Sequence, residues 1–221
     1  MKKNLLINID DVSGIKADKE SHAKEIWRRL RKNKTAMAGM LILGIFVLVA
    51  LFADVIAPYE TAVAQDSSMR LQPPSAEHFF GTDRLGRDVF ARVVQGARVS
   101  LSIGLFTSLG SLIIAVIFGS LAGYYGGKTE TLILRIVDVF MCIPSILLSL
   151  AVVAALGPNM INLLIAMMIS AVPGKIRLIH SVILSVGDQE YVDAARVYGC
   201  SDARIIFKYI LPNALGVIIV D

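Results

Sequence analysis

Long apolar stretches alternate with shorter polar ones along this chain. Met37–Ala53 contains no Asp, Glu, Lys or Arg, and neither does Val99–Gly127 or Val139–Gly174. A helix that crosses a bilayer needs about 20 mostly apolar residues. The third run is long enough for most of two crossings, and Gly157-Pro158-Asn159 divides it with a turn signal. The pattern predicts helices at 37–56, 99–123, 132–156 and 160–186, with a fifth beginning near Asn213. That fifth segment offers only 213–220 before Asp221, too little to cross a bilayer, so a fragment is expected rather than a half-helix. The fold class is an all-α membrane protein, a polytopic helical bundle.

Two polar interruptions are long enough to carry structure of their own. In 57–98, Pro73-Pro74 is followed by the run His78–Leu101, where Gly81 and Gly86 punctuate a loop. From Asp88 the spacing turns helical, with Val89, Val93 and Gly96 on one side and Arg87 and Arg92 elsewhere. This fits an amphipathic interfacial helix leading into the second span, or a docking edge for an external protein. The second interruption runs from Glu190 to Pro212. Gly187 and Asp188 can stop one helix and start the next. Tyr191, Ala194, Ala195 and Tyr198 recur at i, i+3, i+4 and i+7 and so share a face, low in the middle at the alanine pair. Gly199 should break this helix, Ser201 or Asp202 cap another, and Pro212 close it.

Composition agrees with the periodicity. The 221 residues are 55% hydrophobic and 18% charged, against about 25% charged in a soluble domain; mean hydropathy is +0.66. The basic first 36 residues and the long first apolar run do not make a cleavable signal peptide. Lys and Arg are placed unevenly, and such asymmetry in short loops sets orientation. Segment 1–36 holds ten, 124–138 two and 174–212 five, while 58–98 holds five balanced by Glu60, Asp66, Glu77, Asp83 and Asp88. With the N-terminus inside, 17 basic residues face the cytoplasm and five face out, placing 187–212 inside and 58–98 outside. The net charge of +4 is therefore a topology signal. Basic residues are not interleaved with aromatics, and no nucleic-acid partner is expected. Cys142 falls in a span and Cys200 in the cytoplasmic segment, so no disulfide is expected.

Little in the chain resembles reaction chemistry. Ala122–Thr129 nearly spells a phosphate-binding loop, but Ala122 stands where the first Gly belongs and an apolar run replaces the strand; a cytoplasmic turn is the better account. Arg135 and Asp138 lie three apart and can form an intramembrane ion pair near the interface. A proton-coupled carrier would want carboxylates at mid-membrane, and the spans lack them. His22, His78 and His180 are scattered without metal-ligand spacing, and no nucleophile–base pair suggests a membrane hydrolase. Gly119 and Gly123, with Gly104 and Gly110, suit close helix packing. No catalytic, cofactor or metal residues are assigned.

Asp193-Ala194-Ala195, three residues, Gly199, nine residues, Tyr209, Ile210 and Leu211-Pro212 resemble the cytoplasmic coupling loop of ABC importer permeases. That pattern is Glu-Ala-Ala, three residues, Gly, nine residues, Ile, one residue, Leu-Pro; Asp193 and Tyr209 depart from it. Phe80-Gly81-Thr82-Asp83, Gly86-Arg87-Asp88 and Gly96-Ala97-Arg98-Val99-Ser100-Leu101 resemble the C-type permease subunit of dipeptide, oligopeptide and nickel ABC importers. The resemblance covers most of 36–220. It implies six helices, of which about five are represented here and the fifth is incomplete. It also implies a second related permease subunit, two ABC ATPase subunits and an extracytoplasmic solute-binding protein, in the cytoplasmic membrane of a prokaryote. The division expected is a basic cytoplasmic segment 1–36, a first span 37–56, an outer loop 57–98 and a core permease domain 99–221 with the coupling loop at 188–212. ATP hydrolysis is expected on the partner, and the contact on Glu190, Tyr191, Asp193, Ala194, Ala195, Tyr198, Gly199, Ser201, Arg204, Leu211 and Pro212. Peptides are the expected cargo, nickel or another small solute the alternative, and a secondary transporter the more distant one.

Overall fold

The computed structural model describes residues 27, 28 and 30–218. Most of the basic segment 1–36 and the final three residues lie outside the described residues. The described chain is helical, and its one β-type pairing is an isolated antiparallel bridge between Thr82 and Asp88. Two compact units divide it, 1–98 and 99–221.

The first unit opens with α1 (Lys34–Leu51). Asn33 caps it, its side chain accepting from the backbone N–H groups of Thr35 and Ala36 at 3.1 and 3.2 Å. No residue of α1 is buried, although the helix is apolar all round, as suits a span whose solvent is lipid. The first span is shorter than the 37–56 expected, because the chain breaks at Phe52 before α2 (Ala53–Ile56) and α3 (Tyr59–Val63). Pro58 has no N–H for a continuing helix and sits at the cap of α3. Ala53, Ala57 and Ala62 pack with Ala91 and Val94 into a core of small side chains. Buried Gln95 donates to the Ala57 carbonyl at 2.8 Å and to Asp54 at 3.1 Å, and Arg98 reaches the same Asp54 at 2.6 Å.

Helix α4 (Val89–Tyr125) is one uninterrupted element of 37 residues. The helical spacing expected from Asp88 leads without a break into the expected second span: no Pro interrupts 89–125, and the turn beginning at Val89 propagates. At 1.5 Å per residue it is about 55 Å long, against a hydrocarbon core of about 30 Å.

The second unit continues with α5 (Gly127–Met141), α6 (Ser145–Leu156) and α7 (Met160–Gly187). Gly126 and Gly127, at φ 61° and 52°, make the corner between α4 and α5, a conformation that glycine adopts freely. The single helix expected at 132–156 is instead two helices bent by 85° at Cys142–Pro144. Pro144 disfavours helical backbone at Ile143 and cannot donate to the preceding turn; its own ψ of 129° starts α6 afresh. Asn159 caps α7 through the Asn162 N–H at 2.9 Å. Among the described residues α1, α4 and α7 are each long and apolar enough to cross a membrane, and the bent α5–α6 pair adds a fourth span if counted as one.

α4 and α7 meet at a glycine seam. A Cβ placed on Gly119 would lie 2.8 Å from Ile179, and one on Gly123 would lie 2.9 Å from Ile183 and 3.0 Å from the His180 carbonyl oxygen. Small residues permit such backbone approach where the bilayer offers no hydrophobic drive between helices. Polar ties join α7 to α5 and α6. His180 Nε2 meets Glu130 at 3.0 Å, Arg177 pairs with Asp138, and the Ser149 and Ser170 hydroxyls lie 2.8 Å apart. The local Arg135–Asp138 pair is thus replaced by one between helices, because α7 brings the Arg177 guanidinium to the Asp138 carboxylate.

Candidate functional site

After Gly187 the chain enters α8 (Glu190–Val197), α9 (Asp202–Arg204), a π-helical segment Ile205–Ile210 and α10 (Leu211–Ile218). Asp188 is the C-cap of α7 rather than the start of the next helix. Gln189 occupies the N-cap of α8, and Glu190 and Asp193 lie in its first turn, where carboxylates favour the positive end of the helix.

The sharp turn follows from Gly199. Its N–H bonds to the Arg196 carbonyl at 2.9 Å, and the Cys200 N–H reaches back to Ala195 at 3.1 Å. These are the paired bonds of a Schellman cap, which needs a left-handed residue after the helix; Gly199 has φ 72°. Half-buried Cys200 packs on the same cluster as buried Ala195. Ser201 holds the N-cap position of α9 without a side-chain bond.

The expected face is divided in two. Val192 and Ala195 point into the core with Ile205 and Ile210. Tyr191, Ala194 and Tyr198 are exposed. The saddle at the alanine pair is therefore half-filled from within, because the ridge that buries Val192 also takes Ala195. Exposure is greatest at Val197 and Tyr198, both 86%, and Phe207 adds 70%. Asp193 and Arg196 pair at 2.9 Å along the outside, and Arg204 is exposed.

Pro212 does not close this segment. Helix continues through it to Ile218, with Leu211 half-buried and Pro212 exposed at the start of α10. The wider π turn just before it changes the hydrogen-bond register where the proline ring and missing N–H would disrupt an α-helix. The expected pair of helices around Gly199 is present; the second one is longer and irregular.

Two contacts of this segment had no signal in the sequence. The Tyr124 hydroxyl, at the end of α4, donates to Asp202 Oδ1 at 2.8 Å. The Arg196 guanidinium lies 5.5 Å from the centre of the Tyr124 ring. Partners 78 and 72 positions apart follow no periodicity.

Outside this segment the loop 66–88 is the other ordered polar region. Asp83 accepts from the Arg87 side chain and from the backbone N–H groups of Leu85 and Arg87, and pairs with Arg92. Desolvation alone would raise its carboxyl; the Arg87 side chain, the two backbone N–H groups and the Arg87 charge outweigh that and hold it well below the usual carboxylate range. Asp88 caps α4 through the Ala91 N–H at 2.8 Å and meets His78 at 2.7 Å. Desolvation again opposes and the His78 bond again wins, leaving Asp88 lowered. The Thr82 hydroxyl donates to the Met69 carbonyl.

Among the described residues no cluster of three or more His, Cys, Asp or Glu could hold a metal ion. Lys128 and Thr129 lie in the first turn of α5 and Ala122 is fully buried within α4, so the near-match to a phosphate loop has helix on both sides. A cavity of 480 Å³ between α4, α5 and α7, lined by Ile114, Phe118, Ile136, Phe140, Met168 and Ile176 among others, is entirely apolar.

The class defined here is an all-α, multi-pass membrane protein carrying a structured turn after the span Met160–Gly187. Residues 115–221 match the family described as binding-protein-dependent transport system inner membrane component, and residues 21–74 match the N-terminal transmembrane domain of oligopeptide transport permease C. The chain is 47% identical to the dipeptide transport system permease of Alkalihalophilus pseudofirmus over 90% of its own length and 65% of the relative's. It is 37% identical to the dipeptide permease of Bacillus subtilis, over 96% of the chain and 66% of the relative, and 36% identical to the oligopeptide permease of that organism, over 96% and 70%. The chain spans about two thirds of the length of these relatives. It belongs to the binding-protein-dependent transport system inner membrane component family.

Proposed function

We propose that this chain is a transmembrane permease subunit of an ATP-driven ABC importer for di- or oligopeptides, and that 188–212 is where a separate ATPase grips it. The observation that carries this is the turn itself. A Schellman cap at Gly199 fixes α8 against α9, Val192 and Ala195 anchor it in the core, and Tyr191, Val197, Tyr198 and Phe207 are left exposed on a polar segment between apolar helices. Such a rigid, anchored element with exposed aromatic groups suits transmission of force better than a flexible loop would. The peptide cargo is supported by the names of the relatives. ATP hydrolysis belongs to the partner in this division of labour, because the chain's own near-match to a nucleotide loop is helical. The other partners are a second homologous permease subunit, a second ATPase subunit and an extracytoplasmic solute-binding protein. Charge asymmetry supports a cytoplasmic N-terminus and an outward 58–98 loop.

Uptake by the reconstituted complex in proteoliposomes tests the assignment. A labelled dipeptide should accumulate with ATP and the binding protein present, and an imposed proton or sodium gradient should not replace ATP. Accumulation driven by a gradient without ATP would return the chain to the secondary transporters.

A further inference from the structure

We infer that Tyr124 is a positioning residue that links the 188–212 turn to the long helix α4, so that movement of the turn is delivered to a membrane span. The inference rests on the function proposed above and adds the route that force takes within this chain.

Three observations converge on one ring. Tyr124 is the penultimate residue of α4, and its hydroxyl donates to Asp202 Oδ1 at 2.8 Å. Asp202 is the first residue of α9, immediately beyond the Gly199 turn. The Arg196 guanidinium, in the last turn of α8, lies over the same ring at 5.5 Å and is held from its other side by Asp193 at 2.9 Å. One side chain therefore touches both arms of the turn, through a charge-assisted hydrogen bond to one and a cation–π contact to the other.

What lies behind the ring makes it a lever. One position before Tyr124, Gly123 sets α4 against Ile183 and the His180 carbonyl of α7, and Gly119 does the same against Ile179 one turn earlier. α4 cannot slide along α7 here without clashing, so displacement of Asp202 and Arg196 is passed on to the helix rather than absorbed locally. Val192, Ala195 and Ile205 bind the turn to the core as well, but by apolar packing without direction; the tyrosine hydroxyl supplies the directed contact.

The full-length chain, assembled with its companion subunits in proteoliposomes, provides the test. Three quantities are read: recovery of the ATPase with the permease, ATP hydrolysis, and uptake of a labelled dipeptide. Tyr124→Phe keeps the ring for Arg196 and removes only the hydroxyl. Asp202→Asn weakens the same bond from the other side. Tyr124→Phe, which lies outside 188–212, should recover the ATPase normally and hydrolyse ATP, and in both variants dipeptide carried per ATP should fall about fivefold or more, the size of an ordinary coupling term. The double variant should lose no more than either single one, because both break one bond. An unchanged ratio in both single variants, with wild-type uptake intact, overturns the inference and leaves the importer assignment standing. Loss of ATPase recovery in both would make the bond a folding contact and overturn it equally. Absence of ATP-driven dipeptide uptake by the wild type sinks the importer assignment and this inference with it.

Discussion

Single residues decide the turn and the 66–88 loop. Gly199 has room for a side chain, since nothing lies within 4 Å of a Cβ placed there, but its φ of 72° does not suit an L-residue. Gly199→Leu therefore costs about 1–2 kcal/mol through backbone strain alone, and it should reduce recovery of the ATPase and uptake while the permease still inserts. Normal uptake at normal expression would contradict the role assigned to the turn. Asp83 predicts a pH dependence. Its carboxyl is held below its ordinary value in the folded loop, so its contribution is present above the unfolded value of about 3.9 and is lost as pH falls through the lower folded one. Asp88 behaves in the same sense. Amide exchange over 66–88, corrected for intrinsic rates, should stay constant from neutral pH to about 5 and rise only below about 4. Asp83→Asn should show the loosened loop already at neutral pH; identical protection in that variant would mean the arginine network does not order the loop.

At the scale of elements, proline acts by context. Pro144 bends α5 and α6 by 85°, whereas Pro173 is buried inside α7 without ending it and Pro212 is carried by a π turn. The bend at 142–144 should depend on the proline, because Ile143 regains access to helical backbone without it. Spin labels at Leu132 and Leu150, both exposed, report the angle: Pro144→Ala should lengthen their separation. An unchanged distance distribution would assign the bend to packing against α7. The glycine seam makes a second claim at this scale. Gly123→Leu must push Ile183 and the His180 backbone apart, and overpacking of this kind costs about 1–3 kcal/mol. Thermal unfolding of the purified chain should show the loss, and an unaltered midpoint would mean that α4 and α7 separate freely.

For the whole molecule, the 17-to-five division of basic residues predicts the direction of insertion proposed above. Single cysteines at Ser67 and Ser201, both exposed, in a chain lacking Cys142 and Cys200, should differ in intact cells. An impermeant thiol reagent should label position 67 alone, and labelling at 201 alone would invert the topology. The purified chain should also bind no ATP. Saturable, Lys128-dependent binding in the micromolar range, about −8 kcal/mol, would remove the need for a partner ATPase.

The apolar runs alone determine that this is an all-α membrane protein and roughly where its spans lie, because a bilayer demands length and composition before packing. The helix–Gly–helix turn was equally legible: a Schellman cap is a local device, and Gly199 announces it. Other outcomes belong to the tertiary structure. Asp138 chooses Arg177 over Arg135, Ala195 turns inward while Ala194 stays exposed, and Tyr124 finds Asp202 and Arg196. Each depends on which helix comes to lie beside which, and a one-dimensional pattern records the face a residue occupies but not the neighbour that face will meet. The bend at Pro144 lies between these cases. The residue was in plain view, but proline ends a helix, bends it or is tolerated according to whether surrounding packing and hydrogen-bond register compensate for its missing N–H.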